Sequence, residues 1–239
     1  MRGKISIMNT DQLSKRLKTV ADFLKPPIHF ADIGSDHAYL PCYVCQQQKE
    51  ALAVAGELNR GPYLSALEEV KRQNLEGQIR VVQGDGLEVI DNQVNQVVIA
   101  GMGGPLITEI LENGKDKLLN INRIIAQPNI DARSVRKWLA AHQFNLVNEV
   151  ILEENGHIYE VLVADKGDPF ENYNSEDFKR ELWLGPHLLK KKNKVFYKKW
   201  TEEIVKKERI IEQMKSASEP NFEKVKQFEK EINWLKEVL

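Results

Sequence analysis

A chain of 239 residues with 42% hydrophobic and 29% charged residues has a globular composition. It is long enough for one large or two modest domains, and for a core that needs no disulfide or metal staple. Lysine and arginine (34) nearly balance aspartate and glutamate (35), a formal net charge of −1, which argues against a protein that holds nucleic acid by overall charge but leaves room for a basic face.

No stretch approaches the roughly 20 apolar residues of a membrane helix. The start, Met1-Arg2-Gly3-Lys4-Ile5-Ser6-Ile7, has no signal-peptide apolar core, and Met8 serves as well as Met1 for a natural first residue. Two cysteines, Cys42 and Cys45, cannot build a disulfide framework. A cytoplasmic protein with no membrane or metal partner is expected.

Up to Lys166, short β-type runs alternate with helical segments. The runs, residues 28–33, 51–57, 79–83, 94–100 and 123–127, are rich in Val, Ile or Ala and end in Gly, Asp, Glu, Asn or Pro. Between them apolar residues recur at helical spacing, as in Leu64, Leu67 and Val70 or Ile107, Ile110 and Leu111. Strands apolar on both faces that alternate with helices predict a parallel sheet covered on both sides. After a helix over 135–141, two further β runs, 144–152 and 158–164, flank Asn155-Gly156, a hairpin signal. Residues 1–166 are thus expected to form an α/β, doubly wound sheet closed by an antiparallel pair.

From Gly167 the composition changes. Residues 167–175 carry turn residues without a period and read as a linker. Two helical stretches follow, 190–215 and 222–239, separated by 216–221. In the second, Val225, Phe228, Ile232, Leu235 and Leu239 step by three, four, three and four, a narrow coiled-coil-type seam. The first offers Trp200, Ile204, Ile211 and Met214, with Lys207 interrupting. Residues 167–239 are expected to fold as an antiparallel helical hairpin whose arms cover each other, which favours a monomer over a dimer.

Ligands of doubly wound sheets bind beyond the carboxyl ends of the strands. There the sequence places Asp32-Ile33-Gly34-Ser35-Asp36-His37, Glu57-Leu58-Asn59, Gly84-Asp85-Gly86 and Ala100-Gly101-Met102-Gly103-Gly104. A dinucleotide site needs G-x-G-x-x-G after the first strand, so that backbone can approach a pyrophosphate. Here Asp36 stands at the second glycine position and would repel a phosphate. With Asp32, Glu57 and Asp85 it makes four acids around one expected crevice. That suits ribose hydroxyls, amino groups and a cationic centre, all of which S-adenosylmethionine offers. Glu57 follows Gly34 at about the 20-residue interval at which an acid grips a ribose. Asp85 is placed to accept from an adenine amino group or to orient nearby backbone. Taken singly, these residues also have plainer roles as turns and caps, Ser35 as an N-cap and His37 as a polar group at a helix start.

These strings, with Leu13-Ser14-Lys15-Arg16-Leu17, Ala38-Tyr39-Leu40-Pro41 and Gln127-Pro128-Asn129, resemble in order and layout the bacterial tRNA (adenine-22-N1)-methyltransferase family of class I S-adenosylmethionine-dependent methyltransferases. The resemblance covers essentially the whole chain. It departs from the broader class at Asp36 and Ala38, where glycines are usual. It implies a Rossmann-like sheet with a C-terminal coiled-coil-like hairpin, and S-adenosylmethionine held by Asp32, Gly34, Ser35, His37, Glu57, Leu58, Asn59, Gly84, Asp85, Gly86, Ala100 and Gly101. It further implies methyl transfer to N1 of an adenine in the tRNA D-arm region, with Asp36, Met102, Gly103 and Asn129 around the target base. N1 lies on the Watson–Crick edge, so that base must be unpaired or leave its pair. Two other readings stay open: the same fold acting on another RNA or a small molecule, and a non-enzymatic binding module, in which acids at the strand ends would have no purpose.

Between His187 and Trp200 stand Lys190, Lys191, Lys192, Lys194, Lys198 and Lys199, with Phe196, Tyr197 and Trp200 interleaved and no acid. Such a run is either a solvated helix face or a surface for phosphate contact and base stacking. Arg2, Lys4, Lys15, Arg16, Lys18 and Lys25 form a second basic group, and Arg133, Arg136 and Lys137 a third, nearer the expected site. Cys42-Tyr43-Val44-Cys45 has no second pair for a zinc site and falls in an expected helix, so it reads as two buried thiols.

Overall fold

The structure, a computed structural model, describes residues 13–216 and 221–239. Five parallel strands, β1 (His29–Ile33), β2 (Leu52–Glu57), β3 (Ile79–Gln83), β4 (Gln96–Gly103) and β5 (Arg123–Ile130), join an antiparallel pair, β6 (Phe144–Glu154) and β7 (His157–Lys166). All belong to one seven-stranded sheet in the order β3-β2-β1-β4-β5-β7-β6. The central strands are apolar on both faces, as Val97, Val98 and Ile99, all fully buried, illustrate. Because successive side chains point to opposite faces, Phe30, Val98 and Ile125 pack with helices α1 (Lys15–Ala21), α2 (Tyr39–Gln47) and α3 (Arg60–Arg72). Ala31, Val97, Ile99 and Ile124 pack with α4 (Gly104–Asn113) and α5 (Ala132–Ala141) on the other side. The β6–β7 turn is Asn155-Gly156, both left-handed (φ 51° and 80°), the conformation a two-residue hairpin requires.

Two strands run further than their apolar runs suggest. β4 continues through Gly101-Met102-Gly103 and β5 through Pro128-Asn129-Ile130, with register shifts around Met102. Cys42 and Cys45 are free and buried on α2, and burial pushes both thiols up to about 12, as inert core sulfurs should be.

The tail departs from expectation in detail. Within the expected linker, Asn172 donates to Asn145 (2.7 Å) and Tyr173 packs on the sheet core. A helix that lacks a legible period follows, α6 (Phe178–Leu184). The single helix expected over 190–215 is two, α7 (Pro186–Lys191) and α8 (Lys194–Lys215), because Lys192 turns left-handed (φ 37°) and Asn193 caps the new helix at the Phe196 N–H, 2.9 Å away. α9 (Phe222–Val238) packs on α8 through Ile211, Val225 and Ile232. Lys207, expected to interrupt this seam, is buried in it. Its Nζ lies 2.7 Å from Glu231 and 3.2 Å from Glu203, and 4.3 Å from the centre of the Phe228 ring.

Several residues offered above as nucleic-acid contacts are interior. Phe196 and Trp200 are core residues, packed with Ile151 of β6 and with Leu184, Leu188 and Leu235, whereas Tyr197 between them is exposed; four residues apart, Phe196 and Trp200 share the buried face of the helix. Arg136 is wholly buried. Its Nε donates to Glu149 (2.6 Å), its Nη2 to Glu160 and its Nη1 to the Trp183 carbonyl (3.1 Å). Lys199 of α8 donates to the other oxygen of Glu160, and the His187 N–H to Glu149 (3.0 Å). A Cβ on Gly185 would lie 2.7 Å from Glu149 and 2.8 Å from Arg136, at a φ of +89°, so only glycine lets the chain pass over this joint. Burial opposes the Arg136 charge, yet Glu149 and Glu160 hold it on firmly. Burial raises Glu149, while Lys199 and Arg136 overcome burial and lower Glu160. Arg2 and Lys4 of the second basic group, both candidate first residues, and positions 217–220 of the break lie outside the described residues.

Candidate active site

A cleft of about 270 Å³ opens at the carboxyl ends of β1, β4 and β5. It brings together Asp32, Gly34, Ser35 and Asp36 from the β1 end, Ala100, Gly101 and Met102 from β4, and Asn129 from β5. Asp32 is buried and accepts from the Ser35 hydroxyl at 2.7 Å. Burial pushes its carboxyl up to about 7. The Ser35 bond and the Arg16 charge work against that shift, and the neighbouring Glu57 and Asp36 reinforce it. Glu57, also buried, accepts the Asp36 N–H on Oε1. Its pKa is raised, first by burial and then by the Asp36 charge, with the Asp36 amide pulling the other way. Glu57 Oε2 has no partner among the described residues.

The loop that carries these groups is strained. Gly34, Asp36, His37 and Ala38 all take positive φ (69°, 46°, 70° and 56°). Asp36 and Ala38, the two departures from glycine, therefore keep the backbone a glycine would adopt. Left-handed residues other than glycine cost of order 1–3 kcal/mol each and persist only where surrounding structure imposes them. Here the Gly34 and Ser35 N–H groups are both held by the Gly56 carbonyl (2.9 and 3.2 Å), and Glu57 grips the Asp36 N–H. Gly34 has a second reason to be glycine: its Cβ would lie 2.2 Å from Met102 Cε, which crosses the cleft floor.

Other expected site residues sit around this cleft and do not line it. His37 points its ring to Tyr39 (5.3 Å between centres) and lies 3.6 Å from Asp36. Leu58 is exposed, and Asn59 begins α3 without a side-chain cap. Gly84 donates to the Glu57 carbonyl (3.0 Å), which keeps the β3 end beside the β2 end. Asp85 and Gly86 line an adjoining hollow of about 140 Å³ against α4. Gly103 immediately precedes α4. Asp32, Asp36 and Glu57 therefore form one cluster, with Asp85 at its margin.

Three residues of the site escaped sequence reasoning: Arg16, Gln127 and Tyr159. Arg16 and Tyr159 line the cleft, the guanidinium carbon 5.3 Å from the centre of the Tyr159 ring. Gln127 is fully buried behind it and accepts from Arg16 and from the Gly101 N–H (3.1 Å). Arg16 and Gln127 sit inside strings already singled out, so a signal existed; Tyr159 enters from the hairpin and left none. α1, which supplies Arg16, is fixed by Glu154, whose oxygens accept the Lys15 N–H (2.5 Å) and the Arg16 N–H (3.3 Å).

This strand order, with its antiparallel last pair and an acid-lined cleft at the strand ends, defines a class I, Rossmann-like methyltransferase. The model of the tRNA (adenine(22)-N(1))-methyltransferase family matches residues 30–237. The tRNA (adenine(22)-N(1))-methyltransferase of Bacillus subtilis (strain 168) is 48% identical over 235 residues, 97% of this chain and 99% of that one. The crystal structure of the B. subtilis m1A22 tRNA methyltransferase matches with a TM-score of 0.90 over 95% of this chain and 98% of that chain, at 48% identity. A putative tRNA (m1A22) methyltransferase of Streptococcus pneumoniae, solved in complex with S-adenosyl-L-methionine, matches with a TM-score of 0.83 at 38% identity, over 95% of this chain and all of that one. The chain belongs to the tRNA (adenine(22)-N(1))-methyltransferase family.

Proposed function

We propose that this protein transfers a methyl group from S-adenosylmethionine to N1 of adenine 22 in the D-arm region of tRNA. The observation that carries the reading is the cleft itself, which the buried Asp32 carboxylate and the fixed Asn129 amide line, with the buried Glu57 carboxylate held to the same loop at the Asp36 N–H and no buried cation on either acid. A site with spare carboxylate capacity fits a cofactor that bears an ammonium, a sulfonium and ribose hydroxyls. S-adenosylmethionine, when bound, supplies a methyl group already activated on its sulfonium.

Glu57, through its unpartnered Oε2, would hold the ribose of the cofactor, and Asp32 with the left-handed loop from Gly34 to Ala38 would hold its charged end. His37, Leu58, Asn59 and Gly84-Asp85-Gly86 would hold the cofactor on the side of β2 and β3, and Ala100-Gly101 on the side of β4. The target adenine needs little help as a nucleophile, because its N1 lone pair is available; positioning and exclusion of water do most of the work. Met102 gives a close-fitting floor, with Gly103 next to it at the start of α4, and Asn129 accepts from the adenine amino group. Methylation leaves the ring cationic until that amino group loses a proton, and the exposed Asp36 carboxylate at the cleft edge stabilises this charge.

Residues 1–166 carry the cofactor site, and residues 167–239 add surface for tRNA. Lys190, Lys192 and Lys194 form no ion pair among the described residues, whereas Lys198 and Lys199 are committed to Glu153 and Glu160. Arg133 and Lys137, on the helix that follows Asn129, are a separate basic group for the same role, nearer the cleft. No described helix is long and apolar enough to cross a membrane, and no described cluster of His, Cys, Asp or Glu is arranged to hold a metal ion. A monomer fits the mutual cover of α8 and α9, and a cytoplasmic location fits an enzyme that acts on tRNA. Unmodified tRNA incubated with labelled cofactor should gain N1-methyladenosine at position 22 on nucleoside mapping; a methyl group at another position or on no nucleotide would sink the reading.

A further inference from the structure

Around Asn129 the hydrogen bonds close into a ring. Gln127 Oε1 accepts from the Gly101 N–H (3.1 Å) and from Arg16 Nη1. Gln127 Nε2 donates to Asn129 Oδ1 (3.3 Å), and Asn129 Nδ2 donates to the Gly101 carbonyl (2.7 Å). Amide oxygen and nitrogen are alike in shape, so the sense of such a ring has to follow from its chemistry. Here both ends decide it. The Gly101 N–H and the Arg16 guanidinium can only donate, so the Gln127 atom that meets them is oxygen. The Gly101 carbonyl can only accept, so the Asn129 atom that meets it is nitrogen. The bond between the two side chains must then run from Gln127 to Asn129. Turning Gln127 over would set like groups against each other at three places, and turning Asn129 over at two.

We propose that Gln127, backed by Arg16, is a positioning residue that fixes the polarity of the Asn129 amide, so that Asn129 Oδ1 meets the exocyclic amino group of the target adenine as an acceptor. This rests on the function proposed above. An asparagine free to rotate at the cleft mouth would offer oxygen or nitrogen at the same point, and so would accept an amino group or a carbonyl alike. The ring removes the second option. Gln127 touches no substrate. It acts through Asn129, from a fully buried position where a lost partner cannot be replaced by water.

The test compares tRNA carrying adenine at position 22 with tRNA carrying unsubstituted purine there, which keeps N1 and lacks the amino group. Gln127→Glu keeps the size of the side chain and the acceptor for Gly101 and Arg16 but puts an oxygen against Asn129 Oδ1. Asn129→Ala removes the acceptor outright, and Arg16→Lys keeps a donor. Wild type should favour adenine over purine by about 10- to 100-fold in kcat/KM, the worth of one unsatisfied hydrogen bond. The preference should collapse in Gln127→Glu and Asn129→Ala, and persist in Arg16→Lys. Calorimetry with S-adenosylmethionine confirms that each variant is folded. A preference left intact in a cofactor-binding Gln127→Glu protein overturns the inference. Wild type that methylates neither tRNA overturns the proposed function, and the inference with it.

Discussion

At the carboxyl ends of β1 and β2, Asp32 and Glu57 lie buried with a hydroxyl and a peptide N–H for partners. Beneath the tail Glu149 and Glu160 are just as buried, but Arg136 and Lys199 close around them. Burial raises the free energy of all four anions. In the tail joint the cations offset that cost fully at Glu160 and in part at Glu149, and every acid oxygen there has a donor. In the cleft Arg16 relieves Asp32 only in part, and Glu57 keeps one oxygen without a partner. Equal burial with unequal pairing separates a finished structural contact from a site that waits for a positive ligand.

The strongest way to break this contrast is to remove one member from each region. Arg136→Met should cost about 3–5 kcal/mol of unfolding free energy, because it leaves Glu149 buried without its partner. Asp32→Asn should leave the urea midpoint unchanged or raise it. A matching loss in both variants would erase the distinction. The next effect is on binding. Glu57→Gln should weaken S-adenosylmethionine by about 1.5–3 kcal/mol, the worth of hydrogen bonds to a charged group, with little change in thermal stability; calorimetry and a melting curve on one sample read both.

The smallest effect sharpens the contrast through pH. The folded Asp32 pKa of about 7 lies above the ordinary 3.8, so the native state holds this proton longer than the unfolded chain does. The Asp32 contribution to stability is therefore greatest below about pH 4 and falls as pH rises through 7. A cationic ligand prefers the ionised carboxylate, so its affinity should climb over the same window, by at most about tenfold per pH unit, and release protons on binding. Asp32→Asn should flatten the climb; an equally steep profile in that variant would remove Asp32 from the cofactor site.

Much of this architecture was legible in the sequence because its signals are local. Val, Ile and Ala runs ending in Asp-x-Gly, Gly-Glu or Gly-Asp-Gly announce parallel strands and what stands at their ends, and Asn155-Gly156 announces its hairpin. What stayed hidden depends on distant partners. A single arginine in a helix, such as Arg136, does not reveal whether it faces water or two buried glutamates from β6 and β7. Phe196 and Trp200 looked like stacking groups because their lysine neighbours are plain to see and their core partners on β6 are not. The break at Lys192 has no glycine or proline to mark it, and α6 is too short to show a period. Gln127 carries no charge, and its importance appears only when Arg16, Gly101 and Asn129 meet around it.

The Lys207–Glu231 pair has a consequence for the reach of the hairpin. α8 has 22 residues and at about 1.5 Å per residue extends roughly 33 Å. Sliding α9 along it by one turn, about 5.4 Å, would leave Lys207 with only Glu203 of its own helix and take Glu231 from its buried cation, at about 3–5 kcal/mol for the broken buried pair. Lys236 with Glu208 (3.0 Å) and Lys215 with Glu229 (2.7 Å) cross between the same two helices, so the described lengths of the two arms are keyed to one register at several points along them.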